Sequence, residues 1–424
     1  MPHPSESATV LHPPAPRERP TPPTLCRATA DDLTAMATAD GRGFGMHYTD
    51  TDIEDFRPLF DPDRFLLAQD PADGAKQDGP ILGITGSFPF DVTLPGGTTL
   101  PAPGVTWVSV AVTHRRQGIL RAMMEEQHRG FVADASAVSL LTASEGAIYG
   151  RFGYGIATVH RSVEITRRRA TFRPGAPDPG GIRQVDAHEA RLLLPEIHRR
   201  WAALVPGALS RSDRWWDNHM LDRESRRGGA TALFYLVHED GYASYRIEHG
   251  ERTCQVAELV SVTEEAHAAL WRVLLALDLV ETVARWSHPL DDPLQYLLAD
   301  PRQVRTTRIR DGMWARILDV PAVLSARRYA AELDVVLDVH DPFLGLGGRF
   351  RLRGGPDGAS CERVDAGSPT VAVDVTVLGS LLFGGERAET LARAGLLETD
   401  DPAALRRVDT AFLADRLPQH GTEF

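Results

Sequence analysis

A turn that carries two arginines and a glycine connects a predicted strand to a predicted helix about a quarter of the way along the chain. The turn, THRRQG at residues 113–118, follows residues 105–112, whose β-branched and aromatic side chains favour a strand. It precedes ILRAMM at residues 119–124, in which apolar residues recur at helical spacing. The first N–H groups of a helix have no partner in the chain, and the helix dipole adds positive charge there. The glycine lets a ligand approach and the arginines supply fixed charge, so the turn is suited to bind an anion such as a phosphate group.

A second block follows the predicted helix at the distance expected for the next strand, turn and short helix. This block, LLTASEGAIYGRFGYG at residues 140–155, contains Tyr149 and Tyr154. A phenol with a pKa of about 10 is a reasonable proton donor to a thiolate whose parent thiol has a pKa of about 8.5. Either tyrosine is therefore a candidate general acid, in which case the other packs in the core.

Both blocks resemble known sequences. Arg-x-x-Gly between a strand and a helix is similar to the pyrophosphate loop of the GNAT N-acetyltransferases, which bind acetyl-CoA there. THRRQGIL followed by ASEGAIYGRFGYG, in a chain that ends Thr422-Glu423-Phe424, closely resembles the enhanced intracellular survival family of multi-acetylating aminoglycoside acetyltransferases. The resemblance implies an α+β (mixed α/β) chain, with two tandem GNAT-type domains followed by a sterol-carrier-protein-like α+β domain.

The resemblance also implies acetyl-CoA as co-substrate and the residues that hold it. Backbone groups of Val108, Ser109 and Val110 would pair with the pantetheine arm and hold the thioester carbonyl. The pyrophosphate would be lined by Arg115, Arg116, Gln117, Gly118, Ile119, Leu120 and Arg121. A solvated helix start is the alternative role for the two arginines. Ser144 and Glu145 would help to hold the cofactor through their backbone, and an ordinary helix cap is compatible with that.

This sequence departs from the family pattern at two positions near the loop. Leu120 stands where Gly or Ala is usual, and Val112 stands where the closer family has proline. Neither departure removes an N–H donor, and the second adds one.

The proton-transfer residues are assigned by the same resemblance. Tyr149 occupies the position of the proton donor, which favours it over Tyr154, and the terminal carboxylate of Phe424 occupies the position of the base. A free α-carboxyl has a reference pKa of about 3.5, but burial raises the pKa and a bridging water relaxes the geometry. Without the resemblance, residues 422–424 would be interpreted as a frayed tail. Glu423 would add negative potential for a polyamine, and His114 is more suited to positioning the loop than to acting as a base.

Composition restricts the classes of function. The chain has 424 residues, of which 42% are hydrophobic and 25% are charged, as in an ordinary globular protein of two to three domains. The net charge of −12 argues against a nucleic-acid partner and favours cationic partners. The three cysteines lie far apart and the 15 histidines fall in no ligand spacing, so we expect neither disulfides nor a metal. With no long apolar run and no signal pattern, we expect a cytoplasmic protein without a membrane partner.

Local patterns divide the chain into four parts. They are a disordered proline-rich tail at residues 1–23 and three further parts at 24–170, 171–313 and 314–424, the last of which the pattern alone describes only as a small α+β domain. The resemblance implies that these three parts are a catalytic GNAT domain, a degenerate GNAT-like domain and a sterol-carrier-like domain. The turn SVTEE at residues 261–265 repeats the strand–turn–helix plan of the first domain. It lacks arginine and glycine, and its two carboxylates would repel a pyrophosphate. The second domain is therefore interpreted as one that has lost the cofactor or never bound it.

Several local predictions can be compared with the structure. Residues 41–54 are predicted to be a turn-rich loop, residues 70–79 a hairpin loop, and residues 232–247 a strand hairpin turning at Asp240-Gly241. A helix is predicted over residues 264–284. In the last domain the patterns predict strands at 335–339, 348–352 and 370–375, and helices at 377–383 and 402–413.

Taken together, the sequence predicts an N-acetyltransferase that carries acetyl groups from acetyl-CoA directly to primary amines in a ternary complex. The resemblance implies a homohexamer and polycationic acceptors such as aminoglycosides, modified at several positions. Two alternatives remain open. One is a non-catalytic protein that senses acetyl-CoA or binds a lipid, and the other is an acetyltransferase for protein lysines or metabolite amines.

Overall fold

The computed structural model describes residues 23–70, 80–365 and 370–424. These residues form three β-sheets with helices packed against them. Apart from residues 23 and 70, the predicted tail at 1–23 and the predicted hairpin loop at 70–79 lie outside the described residues.

The first unit begins with an edge strand and two helices and continues as an antiparallel meander. Its elements are β1 (Thr24–Arg27), α1 (Leu33–Phe44), α2 (Asp50–Phe56), β2 (Phe65–Gln69), β3 (Ile81–Thr93), β4 (Thr99–Val110), α3 (Ile119–Ala133), β5 (Val138–Thr142) and β6 (Gly155–Ile156).

The prediction of a loop over residues 41–54 is wrong. Helix α1 continues through Gly41 and ends at Gly45, whose φ of 72° is the left-handed conformation typical of a helix C-terminus. Helix α2 begins after Thr49, whose hydroxyl accepts a hydrogen bond from the amide of Asp52 while the Asp52 carboxylate accepts from the amide of Thr49. Gly41 is needed for close packing, because a Cβ there would lie 2.5 Å from the carbonyl oxygen of Met46.

The second unit repeats the strand–helix–strand plan. Its elements are β7 (Val159–Thr166), β8 (Arg183–Val185), α4 (Ala187–Ala202), α5 (Asp213–His219), β9 (Phe234–His238), β10 (Gly241–Glu248), β11 (Thr253–Ser261), α6 (Glu264–Ala276), β12 (Thr282–His288), α7 (Leu294–Leu297) and β13 (Val304–Asp311). The predicted hairpin is confirmed, since β9 and β10 pair from His238 and Gly241 outward. The helix predicted to reach residue 284 ends at Ala276, because Leu279 has a positive φ of 61° and the chain then returns as β12.

The third unit contains the predicted strands and helices and several more elements. They are β14 (Met313–Ile317), α8 (Val320–Ala326), β15 (Leu333–His340), β16 (Gly348–Gly355), β17 (Gly358–Arg363), β18 (Val371–Asp374), α9 (Val375–Leu381), α10 (Ala388–Arg393), β19 (Leu397–Glu398) and α11 (Pro402–Phe412). The patterns had not identified β14, α8, β17, α10 or β19, which are short.

Two strands cross between the sheets. The first sheet has the order β1-β2-β3-β4-β5-β14-β6, the second has β13-β7-β12-β11-β10-β9-β8, and the third has β17-β16-β15-β18-β19. Thus β7, which lies before the predicted boundary at residue 170, pairs in the second sheet, and β14, the first strand of the third unit, pairs with β5 in the first sheet. The order of the strands along the chain therefore does not match their division among the three sheets. The predicted domain boundaries at residues 170 and 313 stay predictions.

The third unit packs directly on the first sheet. A Cβ on Gly155 would lie 1.9 Å from the carbonyl oxygen of Thr376, and a Cβ on Gly379 would lie 2.2 Å from that of Ala315. Helix α9 therefore contacts β6 and β14 backbone to backbone, and one glycine of the GRFGYG segment serves this packing.

Candidate active site

The first sheet is forked at its centre. Strands β4 and β5 are parallel and pair only at Gly104 with Leu140 and Val105 with Leu141. Beyond this point β4 runs on to Val110, still paired with β3 on its other side, while β5 ends at Thr142. One edge of β4 after Val105 therefore faces a gap, where its backbone groups are available to an extended ligand.

A β-bulge in β4 lies at the mouth of this fork. Thr106 pairs with Gly86 and Ser109 with Ile84, so Trp107 and Val108 oppose a single residue of β3. Trp107 has a φ of 52°, which is rare for a tryptophan. The sequence contained no local signal for the bulge, because tryptophan is typical of an ordinary strand.

The bulge decides which side chains face which helix. Val108 packs in the cluster that contains Tyr149 and Leu120, and Val110 packs beside Ile119 of α3. Ser109 is buried toward α1, where a Cβ on Gly43 would lie 3.0 Å from its own Cβ.

The turn after β4 has the backbone of an anion-binding loop. Arg116 and Gly118 have positive φ angles of 64° and 88°, and α3 starts at Ile119 with no side chain capping its first amides. Successive N–H groups in such a turn converge on one side and form a concave anion site.

The charges around this turn also favour an anion. Arg115, Arg116, Gln117, Gly118 and Arg121 are exposed, Leu120 is half-buried and Ile119 is in the core. Within the described ranges neither Arg115 nor Arg116 forms an ion pair; Arg115 Nη2 donates to the carbonyl of Gly43 at 3.3 Å. Unpaired cations at a helix N-terminus interact unfavourably with the helix dipole, so an anion bound here would stabilise this arrangement.

Tyr149 and Tyr154 have different surroundings. Tyr149 is 8% exposed and packs with Val105 and Leu141 at the base of the fork. Burial, followed by the charge of Glu145, raises the pKa of Tyr149 to about 12, so its phenol keeps its proton.

The proton of Tyr154 is committed to a buried network. His128 Nδ1 donates to the carbonyl of Met124 at 2.5 Å, and burial lowers the pKa of His128 to about 3, so its Nε2 is a bare acceptor. Tyr154 O–H donates to that Nε2 at 2.8 Å, and its oxygen lies 2.7 Å from Ser139 Oγ. This geometry suits Tyr154 to a structural role.

The last residue of the chain reaches the fork. Thr142 Oγ1 donates to a terminal carboxylate oxygen of Phe424 at 3.0 Å, and the two rings of Phe424 and Phe90 lie 5.0 Å apart. A Cβ on Gly104 would lie 2.7 Å from the Phe424 ring, so glycine at the last paired positions makes room for the C-terminus. Tyr149 and Phe424 thus reach the same two strands from distant parts of the chain, Tyr149 at Val105 and Leu141 and Phe424 at Gly104 and Thr142.

The other predicted site residues lie on the rim. Ser144 and Glu145 are exposed in the turn after β5, where the carbonyl of Glu145 accepts from the amide of Ile148 at 3.3 Å. The ring of His114 contacts the hydroxyl of Thr113 at 2.9 Å and lies in the loop rather than at the fork.

An aromatic wall that the sequence analysis missed stands beside the bulge. Trp107 stacks on Phe56 at 4.6 Å, and Tyr48 lies parallel to it at 6.0 Å. The Tyr48 hydroxyl donates to Asp40 at 2.9 Å, and burial raises the pKa of that carboxyl. The sequence analysis missed this wall because it interpreted residues 41–54 as a loop. In the structure, α1, α2 and the residues between them bring these side chains over β4.

A cavity of about 140 Å³ lies between the second sheet and the C-terminal tail. Its walls include the carboxylates of Glu258 and Glu423, the rings of His160 and Trp286, and the imidazole of His420. His420 Nε2 contacts Glu423 at 2.7 Å.

Neither a metal site nor a membrane span is found in the part of the chain that the structure describes. No group of three or more His, Cys, Asp or Glu side chains there is arranged to hold a metal ion. None of its helices is long and apolar enough to cross a membrane.

A central parallel strand pair that separates around a bulge, followed by an anion-binding turn, defines the GNAT class of acetyltransferases. Comparison with known families agrees with this. Acetyltransferase (GNAT) domain models match residues 25–157 and 207–317, and a sterol carrier protein domain model matches residues 320–420. The predicted α+β fold, with two GNAT-type domains and a sterol-carrier-like domain, is confirmed.

Relatives identify the family within this class. The chain is 40% identical over 409 residues to the N-acetyltransferase Eis of Mycobacterium bovis and to that of Mycobacterium tuberculosis, covering 95% of this chain and 99% of theirs. The crystal structure of Eis1 from Mycobacterium abscessus superposes with a TM-score of 0.83 at 33% identity, covering 95% of this chain and all of that one. The protein belongs to the Eis family and is an N-acetyltransferase. The GNAT fold implies that it uses acetyl-CoA.

Proposed function

We propose that this protein transfers acetyl groups from acetyl-CoA to primary amines of polycationic acceptors such as aminoglycosides, at several positions of one acceptor. Transfer is direct, within a ternary complex, and the active particle is a homohexamer in the cytoplasm. One observation carries the proposal: the terminal carboxylate of Phe424 lies at the fork, hydrogen-bonded to Thr142.

The proposed cofactor site follows the fork and the turn. Backbone groups of Val108, Ser109 and Val110 on the open edge of β4 bind the pantetheine arm. Amides at the start of α3 and the charges of Arg115, Arg116 and Arg121 bind the pyrophosphate, with Gln117, Gly118, Ile119 and Leu120 lining it. Ser144 and Glu145 border the opposite side of the fork. When bound, acetyl-CoA supplies the acetyl thioester and the thiol leaving group.

In the proposed mechanism, Phe424 and Tyr149 move one proton each. The Phe424 carboxylate takes a proton from the acceptor ammonium, directly or through one water, which frees the nitrogen lone pair. The C–N bond then forms as the C–S bond breaks, and Tyr149 donates its phenolic proton to the departing sulfur. Because the pKa of Tyr149 is raised, the phenol stays protonated until negative charge develops on the sulfur. The second proton that the nitrogen loses as the amide forms passes through solvent and reprotonates the Tyr149 phenolate.

Charge and aromatic surface support a polycationic acceptor. The chain carries a net charge of −12, and the cavity beside the tail is walled by Glu258 and Glu423. Burial opposes ionisation of Glu423, but the hydrogen bond from His420 and the charges of His420 and His160 lower its pKa, so it stays anionic. The wall of Trp107, Phe56 and Tyr48 offers ring faces that attract ammonium groups.

The test is CoA-thiol release from acetyl-CoA with a panel of aminoglycosides, polyamines, lysine peptides and small metabolite amines. The intact protein is compared with two variants. One lacks only Phe424, so its terminal carboxylate is carried by Glu423 and lies about 3.5 Å farther back along the chain. The other, Phe424→Leu, keeps a terminal carboxylate at position 424. We expect the deletion to lower kcat by roughly 10²-fold or more and Phe424→Leu to lower it by less than about tenfold.

Each contrary outcome overturns a different part. Equal turnover with and without Phe424 would discard the carboxylate as base and return attention to His114. Turnover with lysine peptides or metabolite amines alone would change the acceptor class. Binding of acetyl-CoA without turnover on any amine would contradict the catalytic assignment. Light scattering on the intact protein tests the hexamer separately.

A further inference from the structure

The C-terminal tail is bound by the second unit before it enters the first. The amide of Leu417 donates to Asp291 at 2.8 Å, and the amide of Gln419 donates to the carbonyl of Pro206 at 3.0 Å. The amide of Leu209 in turn donates to the carbonyl of His420 at 3.1 Å. A free terminus usually frays, whereas these three hydrogen bonds hold residues 417–420 of the tail against the second unit.

Arg211 makes the last of these contacts. Its Nε donates to Thr422 Oγ1 at 2.8 Å, and its Nη2 donates to the carbonyl of Gly421 at 2.5 Å. The side chain is 1% exposed and pairs with Glu258 at 2.7 Å. Its guanidinium also lies 4.7 Å from the centre of the Trp216 ring. The planar guanidinium is therefore held on one side by the second unit and presents its remaining donors to the tail.

The tail has no room to slide past Arg211. Gly421 has a φ of 67°, and a Cβ there would lie 2.5 Å from the ring of Trp201. From the anchored Thr422, two residues of extended chain span at most about 7 Å, so the anchor fixes where the terminal carboxylate of Phe424 lies.

The anchor is attached to a strand that borders a second fork, in the second sheet. Strands β11 and β12 pair over only three positions, Thr253–Gln255 with Thr282–Ala284, and then diverge as β4 and β5 do. In this second fork the buried Arg285 donates to the carbonyl of Leu259 at 3.0 Å, which closes the edge of β11. Glu258, the neighbour of Leu259 on β11, holds Arg211.

The geometry points to Arg211 as a positioning residue that sets the reach of the terminal carboxylate, with the second GNAT domain serving as the dock of the catalytic tail. This inference rests on the role proposed for Phe424. It assigns the second domain a use that requires no cofactor: its fork supplies the anchor, and the first domain receives the last residue.

The first experiment measures the tail directly, without activity. Carboxypeptidase A removes a C-terminal phenylalanine only when the end of the chain is accessible, and mass spectrometry follows the loss of Phe424. Arg211→Lys keeps the charge beside Glu258 but loses the planar donors, and Thr422→Val removes only the acceptor hydroxyl. Arg200→Lys, in the same domain and paired with Asp240 at 2.6 Å, is the matched control. We expect faster release in the first two variants, by at least about tenfold for Arg211→Lys, and no change in the control.

The second experiment measures kcat and the KM for acetyl-CoA, using the acceptor with the highest turnover in the amine panel. We expect Arg211→Lys to lower kcat by about tenfold with KM unchanged, and to cause no further loss in a chain that already lacks Phe424. Independent, multiplicative losses would show a general structural role and overturn the inference.

The outcomes separate the two proposals. If deleting Phe424 leaves kcat unchanged, the proposed base is wrong whatever the digestion shows. If the deletion lowers kcat but neither Arg211→Lys nor Thr422→Val changes digestion or kcat, the base stands and the positioning role of Arg211 is wrong. If Arg211→Lys does not fold, Thr422→Val decides by the same two measurements.

Discussion

Tyr149 and Tyr154 are five residues apart and show how burial alone does not define a catalytic group. Both are buried, and burial raises the pKa of both. Only Tyr154 has its proton held by a defined acceptor, His128 Nε2. The sequence offered both tyrosines, the resemblance selected Tyr149, and the hydrogen bonds of Tyr154 give a physical reason for that choice.

Tyr149→Phe removes the proposed proton donor without changing the shape of the ring. We expect kcat to fall by roughly 10²-fold or more while the KM for acetyl-CoA changes little, because only the transition state needs the proton. Since the pKa of Tyr149 is about 12, its ionisation should cause no loss of rate between about pH 6 and 10. A variant with kcat within about threefold of the unmodified enzyme would contradict the role.

Tyr154→Phe is the matched control. It leaves Ser139 and His128 buried without this partner, so we expect a loss of roughly 1–3 kcal/mol in the free energy of unfolding by urea titration. Below its melting temperature the variant should keep most of its kcat. A larger fall in kcat for Tyr154→Phe than for Tyr149→Phe would reverse the assignment.

At the scale of elements, the β4–turn–α3 segment combines three irregularities: the bulge at Trp107, the positive φ of Arg116 and the positive φ of Gly118. Each departs from the conformation that its local pattern favours. Together they open one strand edge and turn the first amides of α3 outward. The sequence predicted the strand, the turn and the helix, but the bulge depends on how β4 pairs with β3 and on the side chains of α1 and α2 that cover Trp107.

Gly118→Ala tests the turn. A Cβ at Gly118 meets no atom within 4 Å, so the cost is backbone strain of roughly 1–2 kcal/mol at a φ of 88°. Because relief of that strain would rotate the amides away from the ligand, we expect the KM for acetyl-CoA to rise by about tenfold with a smaller effect on kcat.

Gly45→Ala is the control for that strain. Gly45 has a φ of 72° and also meets no atom within 4 Å, but it ends α1 instead of beginning α3. Both variants should lose similar stability in thermal unfolding, and only Gly118→Ala should raise the KM. Equal KM values for the two variants would contradict the role of the turn.

At the scale of the whole molecule, three units are joined by exchanged strands, by α9 packed on the first sheet and by the tail. Buried neutral histidines lie in more than one of them. Burial lowers the pKa of His128 and of His288 to about 3, and lowers the pKa of His198 well below its usual range. All three are nearly or fully buried.

These histidines make the stability of the fold depend on pH. Between about pH 3 and 6.5 the unfolded chain binds protons at these positions and the folded chain does not, so stability falls as the pH falls. Each contributes roughly 1 kcal/mol of destabilisation between about pH 7 and 5.5. We expect the urea midpoint to drop over this range and to be nearly flat above about pH 7.5. A midpoint independent of pH between 7.5 and 5.5 would show that these rings are protonated in the folded protein.

The sequence by itself determined the order of the units, the Arg-x-x-Gly turn and the alternative tyrosines, because these are written in short contiguous patterns. It did not determine α2, the end of α6, the bulge at Trp107 or the strand exchange of β7 and β14, since each depends on partners far away in the chain. The position of Phe424 is the clearest case. Residue 424 contacts Thr142 at the end of a tail that contacts Arg211 and Trp201, and all of these contacts exist only in the tertiary structure.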